Sequence, residues 1–505
     1  MSNLILLKNV VIIPELFLGL SIVYLLLYGS IVSTHKTYPL IQNLMLNLSV
    51  LVLGFCICLF YNDKIFFVSQ SILFFNDTLI CDYLSFFSKS IISFLSLLCL
   101  LVIRFYLKDQ KVNQFEYMIV ILISILGFFL LCSANELITA YLAIELQSLS
   151  FYIMASFKKN SSFSVEAGLK YFVLGSFSSA LLLFGFSILY GVLGTLNFED
   201  FKLLFSTYVP GSVMLDTQYN PMLLKLGLIL ILISLFFKLA VAPLHVWSPD
   251  VYENSPSSST IFFAVVSKLG ILVLLIRIFQ QCFHGYIYTW RYFVVFLAVL
   301  SVFVGSVTAL EQRKLKSLLA YSSISHIGYI LISFSTGTLE GIQSLYAYII
   351  VYMLAGLCIW SIFLILRLKT SYSQKQNKDL TDFTLLVKSN NIITICFAIV
   401  LLSIAGFPPL IGFITKMGIF MSAVESSMYF VSIAAILTSV ISTFYYIRII
   451  KIIYFEKVLV GNLFYPLFFT ESFIVVITFL SFIFLFINPT LLYLLSYKIS
   501  LLGFI

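Results

Sequence analysis

Long apolar runs, not short alternating ones, dominate this chain. A helix needs roughly 20 mostly apolar residues to cross a bilayer, and the sequence offers about fourteen such runs. The first lie near 11–31, 40–60, 79–103, 117–135, 137–157, 166–194 and 222–247. The others lie near 258–280, 290–310, 318–335, 341–366, 391–420, 427–454 and 467–495. Barrel strands would alternate over roughly ten residues, so run length predicts helices. The expected fold class is all-α: a polytopic membrane protein. One long polar stretch, 367–388, interrupts the pattern as a linker between runs eleven and twelve.

Two runs carry helix breakers. The seventh reads LFFKLAVAPLHVW, with Pro243 inside it, and the twelfth reads SIAGFPPLIGFITKMGIF, with Gly406, Pro408 and Pro409. Proline removes a backbone donor and clashes with the preceding turn, so each helix should be interrupted. A lysine stands close to each break, Lys238 before one and Lys416 after the other. Paired broken spans point to repeats around a transport site. Runs four to eight and nine to thirteen would be the two repeats, and an odd number of helices makes a tandem copy inverted. The expected segments are an N-terminal three-helix segment at 1–110, repeats at 111–285 and 286–457, and a C-terminal helix at 458–505.

Composition strengthens this picture. Of 505 residues, 61% are hydrophobic and only 10% charged. Soluble domains carry about 25% charged residues, so lipid must be the main solvent here. The net charge of +8 forms no stripe suited to nucleic acid and reads as solvated loop charge. Basic residues gather in loops after odd-numbered runs, such as Arg104, Lys108 and Lys111, or Arg313, Lys314 and Lys316. Loops after even-numbered runs hold only Lys64, Lys202 and Arg291. That asymmetry places the odd loops in the cytosol or matrix and both termini on the far side. The first run, with no signal or transit pattern, is expected to span. Abundant Phe, Ile, Lys and Asn suggest AT-biased coding, as in an organelle or a bacterium. The eight cysteines lie in apolar runs without CxxC spacing and read as small apolar residues.

Charges inside the apolar runs carry the chemistry. An ionisable group at the bilayer centre costs at least about 2.5–3.5 kcal/mol. Four groups stand near run centres: Glu145, Lys238, Lys268 and Lys416. Desolvation of an amine favours its neutral form and a nearby carboxylate its charged form, so such groups can relay protons. Glu145 is the natural partner of Lys238. The bland alternative is snorkelling to the interface, which fits Lys170 and Lys225 better than Lys268. His326, in a Ser- and Tyr-rich run, and His245, just past Pro243, could transfer protons or simply bond a freed carbonyl or hydroxyl. Asp250 and Glu253 are placed at the membrane surface, as caps or solvated charges. Phosphate loops, GxGxxG turns, HExxH and nucleophile elbows are absent from the sequence, and the scattered histidines show no metal or haem spacing. No cofactor is therefore expected on this chain.

KYFVLGSFSSALLLFG, KLAVAPLHVWSPDVYENSP, RKLKSLLAYSSISHIGYILI and AGFPPLIGFITKMGIF occur in that order. Together they resemble the chain 2 family of proton-pumping NADH:ubiquinone oxidoreductase, respiratory complex I. NELITAYLAIELQSLSFYIMASFKKN resembles its mitochondrial form most. The resemblance covers about residues 110–455. It implies a 14-span antiporter-like fold with inverted repeats, in the mitochondrial inner membrane. It implies that Glu145 and Lys238 form a switchable pair, that Lys268 bridges, and that Lys416 is the exit-side group; from its own residue type, His326 is expected on the path to Lys416. It also implies that NADH, flavin, iron–sulfur clusters and quinone bind elsewhere. The implied partners are other membrane-arm subunits, including a neighbouring antiporter-like subunit, with cardiolipin among the candidate lipids. One departure is Asn254-Ser255-Pro256-Ser257-Ser258, where the family shows a Gly-small-Pro-Thr-Pro run. With one proline fewer, the eighth run should begin as regular helix. The alternatives are a subunit of a multi-subunit cation/proton antiporter, or a scaffold that no longer pumps.

Overall fold

The structure, a computed structural model, describes residues 12–33, 38–63, 71–109, 115–206, 221–366, 379–384, 386–456 and 469–504. In chain order the first elements are α1 (Ile13–Ser33), α2 (Tyr38–Asp63), β1 (Ile72–Phe74), β2 (Leu79–Cys81), α3 (Tyr83–Asp109) and α4 (Glu116–Ser133). Next come α5 (Leu137–Ser156), α6 (Ser162–Leu193), α7 (Phe198–Ser206) and α8 (Pro221–Leu239). After the first break come α9 (Trp247–Asn254), α10 (Ser257–Val265), α11 (Ser267–Leu275) and a π-helical turn, Ile276–Cys282. Then follow α12 (Ile287–Glu311), α13 (Leu315–Thr336), α14 (Leu339–Ile365) and α15 (Leu386–Ser389). The last are α16 (Asn391–Ala405), α17 (Ile411–Glu425), α18 (Tyr429–Tyr454), α19 (Phe469–Ile487) and α20 (Pro489–Phe504).

Among the described residues, twelve helical segments are long and apolar enough to span. Counting the bent pair near the C-terminal end as one span gives thirteen, and the remaining expected run, 391–420, is interrupted at Gly406 and its prolines as the sequence predicts. The run 391–420 is two short helices, α16 and α17, separated by a turn. The run 467–495 is α19 and α20, bent by 85° where Pro489 removes a backbone donor. Three boundaries also shift. The third run was expected from 79, but Leu79–Cys81 pairs with Ile72–Phe74 in an antiparallel hairpin. The helix starts only after Asp82, whose carboxylate accepts from the Ser85 amide at 2.9 Å. The seventh run, expected to 247, stops as helix at Leu239. Lys316, grouped with a loop, lies in the first turn of α13, buried, and donates to the Ser255 carbonyl at 3.0 Å. Most of the polar linker, 367–378, lies outside the described residues.

The chain forms two compact units. The first holds α1–α8, the hairpin, α11 and the π turn. Within it α4 packs against α1, α3, α5 and α11, while α6 packs against α5 and α8. The α6–α8 pair is close because both helices present glycine: a Cβ at Gly185 would lie 3.1 Å from the Gly227 carbonyl oxygen. Helices α1 and α6 leave apolar side chains such as Leu20 and Phe177 exposed, as lipid-facing helices do.

The second unit holds α9, α10 and nearly all of α12–α20. Its centre is α13, in which every residue but Tyr321 is buried. It is covered by α9, α14 and α17. Serines and a histidine on such a helix cannot reach water, so their hydrogen bonds must close internally. Ser322 donates to the Leu319 carbonyl at 2.9 Å and Ser325 to that of Ser322 at 2.7 Å. α10 begins regularly at Ser257, directly after Pro256.

Candidate functional site

In the first unit, helical spacing puts Glu145, Ser148 and Tyr152 on one face of α5. The Ser148 hydroxyl donates to Glu145 Oε2 at 3.4 Å, while Glu145 Oε1 is buried with no hydrogen-bond partner among the described residues. Lys238 reaches the same row from α8. Its Nζ lies 3.4 Å from the Tyr152 hydroxyl and 5.9 Å from the ring centroid. Lys238 also feels the Glu145 charge, although no direct ion pair within 4 Å joins them. Tyr152 therefore stands as the intermediary. It is wedged edge-on against Tyr171 and Phe172 at 4.8 and 5.7 Å. Gly175 of α6 makes the space, because a Cβ there would sit 2.0 Å from the Tyr152 hydroxyl oxygen.

The position of Lys238 has a second cause. It lies in the last turn of α8, where unpaired carbonyls and the helix dipole favour a cation. The helix ends because Ala240 turns into the left-handed region, φ +61°, ahead of Pro243. A non-glycine residue pays about 1–2 kcal/mol for that conformation.

Lys268 also belongs to the first unit. It is buried on α11, two residues past a one-residue interruption at Val266. α11 packs against α3, α4 and α8, and Gly270 lets Phe128 approach it.

The second unit holds Lys416 and His326. Lys416 is only 3% exposed and donates to the Ala405 carbonyl at 2.9 Å. Ala405 is the last residue of α16, so this ammonium also caps the C-terminal end of a broken helix. Gly406 makes the approach possible in two ways. Its φ is +94°, and a Cβ there would lie 3.1 Å from Lys416 Cδ and 3.3 Å from Nζ. Beyond the amine lies the Tyr329 ring, its centroid 5.4 Å from Nζ. Tyr329 adjoins His326, ring centroids 6.2 Å apart. His326 bridges two phenols, with Nδ1 2.6 Å from the Tyr348 hydroxyl and Nε2 3.0 Å from that of Tyr446. Tyr352 and Tyr445 complete the aromatic cluster.

The structure thus brings Glu145 towards Lys238 through Tyr152, and Lys416 towards His326 through Tyr329. His245 lies in the turn after Pro243, its ring near that of Tyr321. Glu253 is ion-paired with Lys314. Lys170 pairs with Glu166 on an exposed face.

Sequence reasoning missed the tyrosines, and it missed two buried ion pairs. Lys89 of α3 pairs with Glu15 of α1. Arg277, in the π turn, pairs with Asp82 at 2.7 Å and bonds the Cys132 carbonyl at the end of α4. Lys89 and Arg277 carry the same signal as Lys416, a cation inside an apolar run, and could have been found by it.

A family model described as NADH:quinone oxidoreductase/Mrp antiporter, transmembrane, matches residues 134–442. NADH-ubiquinone oxidoreductase chain 2 of Marchantia polymorpha is 38% identical over 493 residues, 97% of each chain. NADH-quinone oxidoreductase subunit N of Pelagibacter ubique is 40% identical over 446 residues, 88% of this chain and 89% of that one. A chain from respiratory complex I of Thermus thermophilus with bound aureothin superposes with a TM-score of 0.78 at 26% identity, covering 96% of this chain and 99% of that chain. A chain from the Mrp complex of Dietzia sp. gives 0.80 at 17% identity, covering 97% of each, which shows a shared fold alone.

Proposed function

The chain belongs to the NADH:quinone oxidoreductase/Mrp antiporter membrane family, and on that premise we propose that it is the chain 2 (subunit N) type of proton-translocating subunit in the membrane arm of respiratory complex I. The observation that carries this reading is Lys416: an ammonium buried in an apolar unit, held only by a carbonyl and an aromatic face. Among the described residues it has no ion-pair partner. A stable fold gains nothing from such a group, whereas a proton relay needs one.

The relay has two segments. In the first, a carboxylate moving towards or away from an amine favours or disfavours its charged form. Movement of Glu145 relative to Lys238, with Tyr152 between them, loads and unloads a proton that Lys268 receives. In the second, Lys416 holds the proton at the broken helix. Imidazole can take a proton on one nitrogen and release one from the other, so His326 and its two phenols deliver it to Lys416.

The driving reaction, electron transfer from NADH to ubiquinone, belongs to partner subunits, and so do the redox cofactors. The neighbours include another antiporter-like subunit, and lipids such as cardiolipin fill the remaining grooves. The site of assembly is the mitochondrial inner membrane, with both termini on the intermembrane-space side, as the loop charges favour. Shared fold with an Mrp chain supports a second reading, a cation/proton antiporter subunit. The greater likeness to chain 2 relatives, 38% against 17% identity, favours the first.

Glu145→Gln in the assembled complex tests the reading, because it keeps the shape and removes the charge. The expected result is fewer protons moved per electron with assembly intact. An unchanged ratio would remove Glu145 from the relay. Sodium-driven proton flux without NADH would support the antiporter.

A further inference from the structure

Glu15 lies in the first turn of α1. One carboxylate oxygen accepts from Lys89 Nζ on α3, whose side chain is 2% exposed. The other, Oε2, is buried and has no hydrogen-bond partner among the described residues. A buried carboxylate oxygen without a donor is costly, so the site is incomplete as it stands.

Beside it lies a cavity of about 340 Å³, within the range of small-molecule sites. Its wall is almost wholly apolar. It is formed by Gly19, Leu20 and Val23 of α1, Leu126 and Leu130 of α4, and Phe74 of the hairpin. Leu20 and Val23 are also exposed at the surface, so the cavity opens on the lipid-facing side of a spanning helix. The α1 residues that line it, from Glu15 to Val23, occupy one face over roughly 12 Å of helix. The result is an elongated apolar groove whose lining includes two polar residues, Glu15 and Ser133.

We propose that this groove is a lipid site: it holds one acyl chain of phosphatidylethanolamine, whose ammonium donates to Glu15 Oε2. The chemistry selects among headgroups. A choline ammonium has no N–H to give. An anionic headgroup brings further negative charge to a carboxylate whose lysine is already engaged. A primary ammonium supplies both the donor and the matching sign.

The test is photo-crosslinking in native membranes that contain the full chain with its partners. Phosphatidylethanolamine, phosphatidylcholine and phosphatidylglycerol probes, each with a diazirine on one acyl chain, are compared. Crosslinks are mapped to peptides covering Leu16–Val23 and Leu126–Leu130. The ethanolamine probe should label these peptides roughly tenfold more than the other two, the preference one charge-assisted hydrogen bond supplies. Glu15→Gln should erase the preference but unpairs Lys89, so a second variant leaves the ion pair alone. Gly19→Phe fills the groove from α1, where a Cβ meets only Leu126 Cδ1 at 3.5 Å. It should abolish the labelling. Equal labelling by all three probes, labelling that survives Gly19→Phe, or crosslinks running to a partner polypeptide would each overturn the proposal.

Discussion

Lys238 and Lys416 answer one problem, an ammonium in lipid, in different surroundings. Both sit at the C-terminal end of a broken helix, Lys238 on its own and Lys416 against the last carbonyl of α16. Carbonyl ends of helices are where a cation is stabilised without a counter-charge. The surroundings then diverge. Lys238 is half-buried, touches a phenol and feels an acid. Lys416 is fully buried, with an aromatic ring and a histidine beyond it. A charge that depends on a movable carboxylate is suited to switching. A charge held by fixed dipoles and rings is suited to passing a proton on. On the proposed function, one unit would carry the switch and the other the conductor.

The largest break in that comparison short of the lysines themselves is His326→Gln. Glutamine can still bond both phenols but cannot exchange a proton as imidazole does. Proton transfer through the second unit should fall roughly 100-fold, the lower range for loss of a general acid–base group. Proton-coupled turnover in vesicles reads it, and near-normal pumping would leave His326 a structural bridge. Next is Gly175→Ala, which drives Tyr152 from its place. Overpacking of this kind costs about 1–3 kcal/mol, and pumping should drop about tenfold as the Glu145–Lys238 link lengthens. If pumping held while stability fell, Tyr152 would be packing alone. The smallest effect belongs to Lys170→Ala. Its exposed pair with Glu166 is worth under about 0.5 kcal/mol, so neither melting temperature nor pumping should move.

The lysines and their breaks were legible because a charge or a proline in an apolar run has no ordinary reason to be there. Pro243 and the Pro408–Pro409 pair marked both interruptions correctly. The break at Val266 was not legible, since nothing in VVSKLG forbids helix. Neither was the left-handed turn at Ala240, which tertiary packing imposes on a residue that favours helix. The hairpin was hidden because Leu79–Cys81 is as apolar as the helix that follows. Tyr152 and Tyr329 were hidden by abundance, because 30 tyrosines give no pattern until the fold brings particular ones to a lysine. Lys89 teaches the converse. From sequence it looks like Lys416, yet the fold gives it Glu15. Whether an intramembrane lysine has a carboxylate beside it depends on contacts 74 residues apart, which local sequence cannot show.

On the proposed function Lys416 must exchange a proton, not merely supply a charge. Lys416→Arg isolates this, because guanidinium keeps the cation at the Ala405 carbonyl but is never deprotonated in proteins. The decisive measurement is the proton-to-electron ratio of the reconstituted complex carrying Lys416→Arg, beside Lys416→Ala. Both variants should lose the protons carried by this chain while electron transfer and assembly persist. A normal ratio with arginine, and loss only with alanine, would show that Lys416 acts as a fixed charge and would contradict that role.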